Sequence, residues 1–229
     1  MFCGKPVENH RLFVAFFMGA GTISGMNYII VGLGNPGAEY EDTRHNTGRM
    51  AVEALAKRIG ETEWKEDKKL KAETLKTRIG LSGQGKNTVL LVKPNTFMNK
   101  SGNAVGPVVK SKKAAETLVV VHDDLDIPFG KMKISFNKSA GGHRGVESII
   151  KAVKTEAFIR MRIGISPVTA SGKMKKPQGE KEVEMLILGK FKPGEQDTLK
   201  KIMKRAAEGL ELIVTDGRDI ATGKVNSEN

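Results

Sequence analysis

The sequence predicts a single α/β domain built on a mixed, mostly parallel sheet. Its 229 residues suffice for one sizeable core. The apolar runs Tyr28–Gly32 and Leu118–Val121 have the composition of strands buried in a parallel sheet, and segments with helical spacing separate them. Leu70–Ile79 and Thr88–Lys93 flank the glycine-containing stretch Ser82–Asn87, which is typical of a hairpin. Alternating strands and helices favour the α/β class, and the hairpin adds antiparallel strands.

The remaining elements follow from apolar spacing and from helix-breaking residues. Glu61–Lys71 is highly charged and is predicted to be a solvated connection, whereas Ser166–Lys181 is predicted to be a mobile loop. We expect further strands at Lys131–Phe136 and Arg160–Ile165, and helices from Thr43 to Gly60, at Ser101–Lys113, from Gly145 to about Lys154, and at Glu195–Val214.

The two ends of the chain are expected to lie outside this domain. Residues 1–25 hold an apolar run that is too short to span a bilayer, and Glu8 argues against a secretory signal. We therefore expect a leader or upstream extension at 1–25, a domain at 26–215 and a C-terminal tail at 216–229. Cys3 is the only cysteine, which excludes an intrachain disulfide and suits a reducing compartment such as the cytoplasm.

The charge of the chain indicates a polyanionic partner. The formal net charge is +12 at pH 7, which suits a surface that binds nucleic acid. The glycine-rich stretch Gly141–Gly145 precedes a predicted helix, where backbone amides and Arg144 would suit a phosphate group. Basic side chains that would suit RNA are found at Lys131, Lys133, Lys138, Arg160, Arg162, Lys173, Lys175 and Lys176.

Polar residues follow several predicted strands. His45 lies at a predicted helix start, where the helix dipole is expected to keep its ring neutral and available as a base. Asp123 follows a buried strand, where its carboxylate can orient an imidazole. Asn35 and Asn99 carry amides that suit a carbonyl or a ribose hydroxyl. Since ligands bind beyond the carboxyl ends of parallel strands, we expect these side chains to share one rim of the sheet.

Two other kinds of site compete with this interpretation. Gly32, Gly34 and Gly37 match G-x-G-x-x-G, which suggests a dinucleotide, but Pro36 interrupts the turn and the following helix begins late. The predicted loop His122–Asp126 contains carboxylates that would suit a divalent cation. The sequence has no G-x-S-x-G motif for a nucleophilic serine, so direct attack by an activated water is the simplest hydrolytic scheme.

Four segments together resemble the bacterial-type peptidyl-tRNA hydrolase family. They occur in order and at family-like spacing, from about Met26 to about residue 215. The segments are Val31-Gly-Leu-Gly-Asn-Pro-Gly-Ala-Glu-Tyr-Glu-Asp-Thr-Arg-His-Asn46, Thr96-Phe-Met-Asn-Lys-Ser-Gly102, His122-Asp-Asp-Leu-Asp126 and Gly141-Gly-His-Arg-Gly145. The resemblance implies a twisted mixed sheet with helices on both sides, a monomer, and hydrolysis of the ester between a peptide and the 3′-terminal ribose of tRNA, without a metal or another cofactor.

The resemblance also implies roles for individual residues. His45 matches the general base, Asp123 the carboxylate that keeps it basic, and Asn35 the residue that senses the N-blocked peptide. The positions that match contacts to the terminal nucleotide and the peptide are Tyr40, Phe97, Met98 and Asn99.

The chain departs from the family pattern at two positions. Arg144 stands where many members have asparagine, and Ser135 where many have lysine. We expect Lys133 or Lys138, together with Arg162, to supply the contact with the terminal phosphate. Residues 166–181 match a variable region and are expected to act as a lid. The alternative function is that of a non-catalytic RNA-binding relative, of the kind found among plant organellar splicing factors.

Overall fold

The computed structural model describes residues 27–80, 86–169 and 171–228. The predicted leader at 1–25 lies outside the described residues, as does most of the predicted hairpin connection. The strands are Asn27–Gly32 (β1), Lys65–Asp67 (β2), Ala72–Ile79 (β3), Asn87–Pro94 (β4), Leu118–Pro128 (β5), Met132–Phe136 (β6) and Ile159–Ser166 (β7). The α-helices are Thr47–Arg58 (α1), Gly102–Val105 (α2), Lys112–Ala115 (α3), Arg144–Val153 (α4), Gly179–Ile187 (α5), Gln196–Asp216 (α6) and Arg218–Ser227 (α7).

The described strands form one mixed sheet in the order β2-β3-β4-β1-β5-β7-β6. Strand β1 pairs in parallel with β4 and β5, and β5 pairs in parallel with β7. Strands β2, β3 and β6 run antiparallel to their neighbours. The carboxyl ends of β1, β4, β5 and β7 therefore meet at one edge of the sheet, and the predicted fold class is confirmed.

Helices cover both faces of the sheet because alternate residues of the inner strands are apolar on both sides. On one face, Ile30 of β1 and Val121 of β5 pack in a core with side chains of α1, α6 and α7. On the other face, Val31 and Val120 pack with side chains of α2, α3 and α4. Strand β1 occupies the middle of the sheet, and β5 lies beside it.

Three predicted elements have different bounds in the structure. The helix expected at Ser101–Lys113 is instead two short helices, α2 and α3, because Gly106 and Pro107 interrupt it. The connection expected at Glu61–Lys71 contains the short edge strand β2. The loop expected at His122–Asp126 continues strand β5 to Pro128, so His122 is a strand residue with 1% of its surface exposed.

The C-terminal segment packs on the domain. Residues 216–229 were expected to form a tail, but they contain α7, whose Ala221 and Val225 are buried. The side-chain amide of Asn226 accepts a hydrogen bond from the N–H of Ile134 at 2.8 Å and donates one to its carbonyl at 3.0 Å. Helix α7 thus covers the edge strand β6, which protects that edge from pairing with other chains.

Candidate active site

Close backbone contact between β1 and α1 positions the first part of the site. A Cβ on Gly32 would lie 2.5 Å from the carbonyl oxygen of Gly48, and a Cβ on Gly48 would lie 2.3 Å from that of Val121. Only glycine allows the start of α1 to approach the sheet this closely. Gly32 of the G-x-G-x-x-G match therefore has a packing role, which weakens the case for a dinucleotide site.

Asn35 is held by two neighbouring segments, one through its side chain and one through its backbone. Its Oδ1 accepts a hydrogen bond from the N–H of Met98 at 2.8 Å. Its backbone exchanges two hydrogen bonds with the side-chain amide of Asn46, at 2.8 and 2.9 Å. Because Oδ1 is occupied by an N–H donor, the amide NH₂ of Asn35 is the group left to donate into the adjoining cleft.

His45 and Asp123 form a buried pair. His45 belongs to a 3-10 turn, Arg44–Asn46, that directly precedes α1. Its Nδ1 lies 3.0 Å from both carboxylate oxygens of Asp123, although 78 residues separate the two in sequence. An ionised carboxylate only accepts hydrogen bonds, so Nδ1 carries the proton. The arrangement leaves Nε2 of His45 as a basic nitrogen.

A second imidazole contacts the same carboxylate. His143 precedes α4, and its Nδ1 accepts hydrogen bonds from the N–H groups of Gly145 and Val146 at 3.2 and 3.3 Å. Its Nε2 therefore carries a proton and donates to Oδ1 of Asp123 at 3.0 Å. These two backbone N–H groups at the helix start already donate to His143. They are therefore not free to bind a phosphate, as was expected for the segment Gly141–Gly145.

These contacts determine the protonation of the site. Burial would raise the pKa of Asp123, but the charges and hydrogen bonds of His45 and His143 hold it far below the ordinary range. Burial lowers the pKa of His45, but the charge of Asp123 and the hydrogen bond to it outweigh burial and raise the pKa above its ordinary value, while Arg144 lowers it. The helix start alone would lower the pKa of His45, but the observed direction is upward because the carboxylate outweighs it.

His122 supports the site from within β5. Its Nδ1 donates to the backbone carbonyl of Asp123 at 2.7 Å, and its ring meets that of His143 edge-on at 4.7 Å. Burial, followed by the charge of His143, lowers its pKa well below the ordinary value, so the ring is neutral. Its side chain thereby fixes the backbone that carries Asp123.

The carboxylates of the rival metal site point to different partners. Asp124 accepts from Nε of Arg162 at 2.7 Å, and Asp126 pairs with Lys176. In the described ranges, the metal-type side chains with donor atoms within 4.8 Å of one another are instead His45, Asp123 and His143. Their nitrogen and oxygen atoms already form hydrogen bonds with each other, as acid–base chemistry requires.

A cleft of about 880 Å³ opens over the buried pair. Tyr40 and Phe97 meet edge to face at its rim, with ring centroids 6.5 Å apart, and the Phe97 side chain is 58% exposed. Met98 is 5% exposed and belongs mainly to the core. The structure places around this cleft the predicted site residues Asn35, Tyr40, His45, Phe97, Met98, Asn99, Asp123 and Arg144.

Sequence and structure comparisons agree on the family. The model of the family described as peptidyl-tRNA hydrolase matches residues 29–229. The chain belongs to the peptidyl-tRNA hydrolase family. It is therefore a hydrolase by family. The histidine–carboxylate pair described above lies at the carboxyl edge of its sheet.

Individual members of the family match nearly the whole domain. The peptidyl-tRNA hydrolase of Akkermansia muciniphila is 41% identical over 190 residues, which are 82% of this chain and 90% of that protein. The peptidyl-tRNA hydrolase of Mycobacterium tuberculosis is 35% identical over 200 residues, 87% of this chain and 97% of that protein. The solved structure of the Acinetobacter baumannii peptidyl-tRNA hydrolase has a TM-score of 0.73 at 32% identity, covering 89% of this chain and 97% of that one.

Of the basic residues expected to contact RNA, Lys176 lines the cleft, whereas Lys133 and Arg162 belong to strands β6 and β7 beside it. Lys133 and Arg162 are directly paired across β6 and β7, and Ser135 pairs with Arg160 on the same face. Arg162 is linked to the cleft through Asp124, which lines it. Lys138 follows β6, so Lys133, Lys138 and Arg162 form a basic ribbon next to the site. Arg160 is only 4% exposed and does not present its charge to solvent.

Sequence reasoning missed two parts of the site. His143 lies in the glycine-rich segment Gly141–Gly145, but nothing local indicates that it shares Asp123 with His45. Helix α5 forms a wall of the cleft with Val183, Glu184 and Ile187, followed by Leu188. The spacing of Val183 and Ile187 on one helix face is the available sequence signal for that wall.

Proposed function

We propose that this protein hydrolyses the ester bond between the peptide and the 3′-terminal ribose of peptidyl-tRNA, releasing free tRNA and an N-blocked peptide. The observation that carries the proposal is the 3.0 Å contact between His45 and Asp123 beside the fixed amide of Asn35. Family membership supplies the substrate class, since the relatives described above are named peptidyl-tRNA hydrolases.

The reaction uses a water molecule as the nucleophile. Nε2 of His45 takes a proton from the water as its oxygen attacks the ester carbonyl, and Asp123 stabilises the imidazolium that forms. The tetrahedral intermediate then collapses, and the bond between the acyl carbon and the ribose 3′ oxygen breaks. The imidazolium returns the proton to that 3′ oxygen. The products are a carboxylic acid and a free ribose hydroxyl, so atoms and charge balance.

The cleft residues have distinct proposed roles. The NH₂ group of Asn35 binds a carbonyl of the N-blocked peptide, and Asn99 contacts the ester end of the substrate. Tyr40 and Phe97 present exposed aromatic surface on which a base of the acceptor end can stack. Met98 belongs mainly to the core and holds Asn35 through its backbone N–H.

Contacts outside the cleft bind the tRNA backbone. The basic ribbon neutralises phosphates, with Lys133, Lys138 and Arg162 closest to the expected terminal phosphate, and Arg144 meets the substrate at the cleft itself. We expect residues 166–181 to act as a lid. We also expect a cytoplasmic monomer whose domain starts near residue 26. Among the described residues, no helix is long and apolar enough to cross a membrane.

The alternative is an RNA-binding protein without catalytic activity. It would need the basic ribbon and the aromatic rim, but it would have no chemical use for a buried histidine–aspartate pair with a fixed tautomer. The relatives described above are named as hydrolases, which also favours catalysis.

Replacing the base tests the proposal. Purified protein should release peptide from N-blocked aminoacyl-tRNA without added metal, and His45→Ala should lower kcat by roughly 10²- to 10⁴-fold or more, since it removes the general base. Binding of uncharged tRNA should remain, because the basic ribbon is unchanged. Turnover and tRNA affinity are measured on the same preparations.

The two outcomes separate the alternatives. Full activity of His45→Ala would remove His45 from the mechanism. Tight tRNA binding by the wild type without any peptide release would instead support the RNA-binding alternative.

A further inference from the structure

The residue before His45 is a buried arginine with an unusual set of partners. Nη2 of Arg44 donates to both carboxylate oxygens of Glu195, at 2.8 and 2.6 Å, and the Arg44 side chain is 4% exposed. The guanidinium carbon lies 4.5 Å from the ring centre of Phe191 and 5.7 Å from that of Phe129. Arg44 is therefore held by an ion pair and by two aromatic rings at once.

This side chain is specified more closely than stability alone requires. Its Nη1 is buried and has no hydrogen-bond partner among the residues that the structure describes, and the guanidinium carbon lies over the Phe191 ring. An apolar side chain of similar volume would fill the site without desolvating a charge. The guanidinium instead gives geometric specificity, because its planar set of donors and its stacking on aromatic rings fix the orientation of the turn that carries Arg44.

Backbone contacts connect the same turn to the segment after α5. The N–H of Arg44 donates to the carbonyl of Gly189 at 3.0 Å, and Thr43 forms an isolated β-bridge with Lys190. Phe191 and Glu195 belong to the continuation of that segment. The turn that carries His45 and residues 189–195 are thus joined by backbone, aromatic and ionic contacts.

That segment begins where the wall of the cleft ends. Val183, Glu184 and Ile187 of α5 line the cleft that His45 also lines, and Gly189 follows directly after α5 and Leu188. Gly189 and Lys190 are thus the backbone link between α5 and the turn that carries His45. A displacement of the turn would alter the 3.0 Å contact between His45 and Asp123.

We propose that Arg44 is a positioning residue that holds the His45 ring at hydrogen-bond distance from Asp123. Through the same contacts, Arg44 couples the position of the ring to the α5 wall of the cleft. The inference rests on the proposed function for its effect on turnover. Arg44 contacts neither substrate nor the reacting atoms, and it acts through the backbone of the turn. Its effect is therefore expected in kcat rather than in KM.

The first test compares kinetic constants. Arg44→Lys keeps the charge but loses the fork and the stacking, and it should lower kcat by roughly 10- to 100-fold, as small misplacements of catalytic groups do. KM should change much less, because the basic ribbon and the aromatic rim are untouched. Glu195→Gln keeps the size of the carboxylate but removes its charge, and it should lower kcat in the same direction by a smaller factor.

A matched control is available in a second arginine–glutamate contact. Arg58 of α1 pairs with Glu211 of α6 at 2.7 Å, but both side chains are substantially exposed and remote from the cleft. Glu211→Gln should leave kcat within about twofold of the wild type, as expected for an exposed ion pair. A fall in kcat that is equal in Glu211→Gln and Glu195→Gln would show a general loss of stability and would overturn the proposal.

The second test measures the pKa of His45 directly by NMR, without turnover. The titratable or charged groups facing His45 are Asp123 on β5 and His143 and Arg144 at the start of α4, and Glu184 of α5 lines the same cleft. In Arg44→Met, loss of a nearby positive charge alone would raise the pKa of His45. Loss of the contact with Asp123 would lower it, so the sign distinguishes a displaced ring from a lost charge.

The outcomes are separable from those of the proposed function. A lowered pKa of His45 in Arg44→Lys and Arg44→Met, with Glu211→Gln unchanged, supports the positioning role. An unchanged or raised pKa together with an unchanged kcat in Arg44→Lys overturns it. If the wild type releases no peptide, the proposed function fails, while the NMR measurement still decides whether Arg44 positions His45.

Discussion

At the scale of single residues, hydrogen bonds assign a proton to each imidazole of the site. His143 accepts two backbone N–H groups at Nδ1, so its Nε2–H must donate to Asp123. Asp123 is ionised and accepts from both His143 and His45. The basic nitrogen of His45 is thereby directed away from the carboxylate. This tautomer is the one that a water-activating base requires.

The pH dependence of turnover should follow the pKa of His45. The base works only when its ring is neutral, so kcat/KM should fall as the pH drops below that pKa. Because Asp123 raises the pKa, the midpoint of the acid limb should lie above the ordinary value of about 6.5. Asp123→Asn should move the midpoint to lower pH and reduce kcat by roughly 10²- to 10⁴-fold. A midpoint that stays in place would show that another group controls the acid limb.

Arg144 shifts the pKa of His45 in the direction opposite to Asp123. Its charge lowers the pKa of His45, so Arg144→Asn should move the acid midpoint of kcat/KM to higher pH. Arg144→Lys keeps the charge and serves as the control, with a smaller displacement of the midpoint. If both variants titrate like the wild type, the Arg144 charge does not act on the base, and only a substrate contact remains for it.

At the scale of elements, the contact between β1 and α1 sets the distance between the two halves of the site. A Cβ on Gly48 would lie 2.3 Å from the carbonyl oxygen of Val121 and 2.7 Å from that of Leu33. Both of these atoms belong to backbone, which cannot move aside cheaply. The start of α1, and with it His45, is therefore held against the carboxyl ends of β1 and β5 by the absence of a side chain.

A glycine-to-alanine pair tests this contact. Gly48→Ala should reduce the free energy of unfolding by about 1–3 kcal/mol or more, since it overpacks a buried contact. Gly223→Ala, in α7 with no atom within 4 Å of the added Cβ, should raise it by about 0.4–1 kcal/mol through helix propensity and a less flexible unfolded chain. Urea titration measures both. Equal effects of the two substitutions would refute the packing role of Gly48.

At the scale of the whole molecule, the net charge of +12 is expected to act through the basic ribbon. Lys133 and Arg162 are neighbours on one face of the β6–β7 pair, beside the cleft. The face of β6 opposite to Lys133 packs through Met132 and Ile134 on α6 and α7. The ribbon is thus presented on one side, and tRNA should approach from there.

The salt dependence of tRNA binding should identify which face of the protein contacts the tRNA phosphates. The logarithm of the association constant should fall linearly with the logarithm of salt concentration, and Lys133→Ala should reduce the slope by about 1. Lys57→Ala, an exposed lysine of α1 on the opposite face of the sheet, should leave the slope unchanged. Equal slopes for Lys133→Ala and the wild type would place the phosphate contacts elsewhere.

Much of the fold follows from patterns of a few residues. Apolar runs mark β1 and β5, and the spacing of Ala51, Leu55 and their neighbours marks α1. Asn35, His45 and Asp123 are recognisable in the sequence because each follows a predicted strand or begins a predicted helix, and parallel strands gather such positions at one edge. Helix α7 was missed because its exposed, polar sequence has weak apolar spacing, and its burial depends on Ala221 and Val225 meeting β6.

The positions of the strands and helices along the chain, and of motif residues such as His45 and Asp123, are therefore local properties that the sequence determines. The number of partners on Asp123, the raised pKa of His45 and the clamp on Arg44 are decided only by tertiary packing. Arg44 and Glu195 are 151 residues apart, and His45 and Asp123 are 78 apart. Periodicity and turn chemistry act over one or two turns of chain, whereas burial and electrostatics depend on which distant groups the folded sheet brings within a few ångströms.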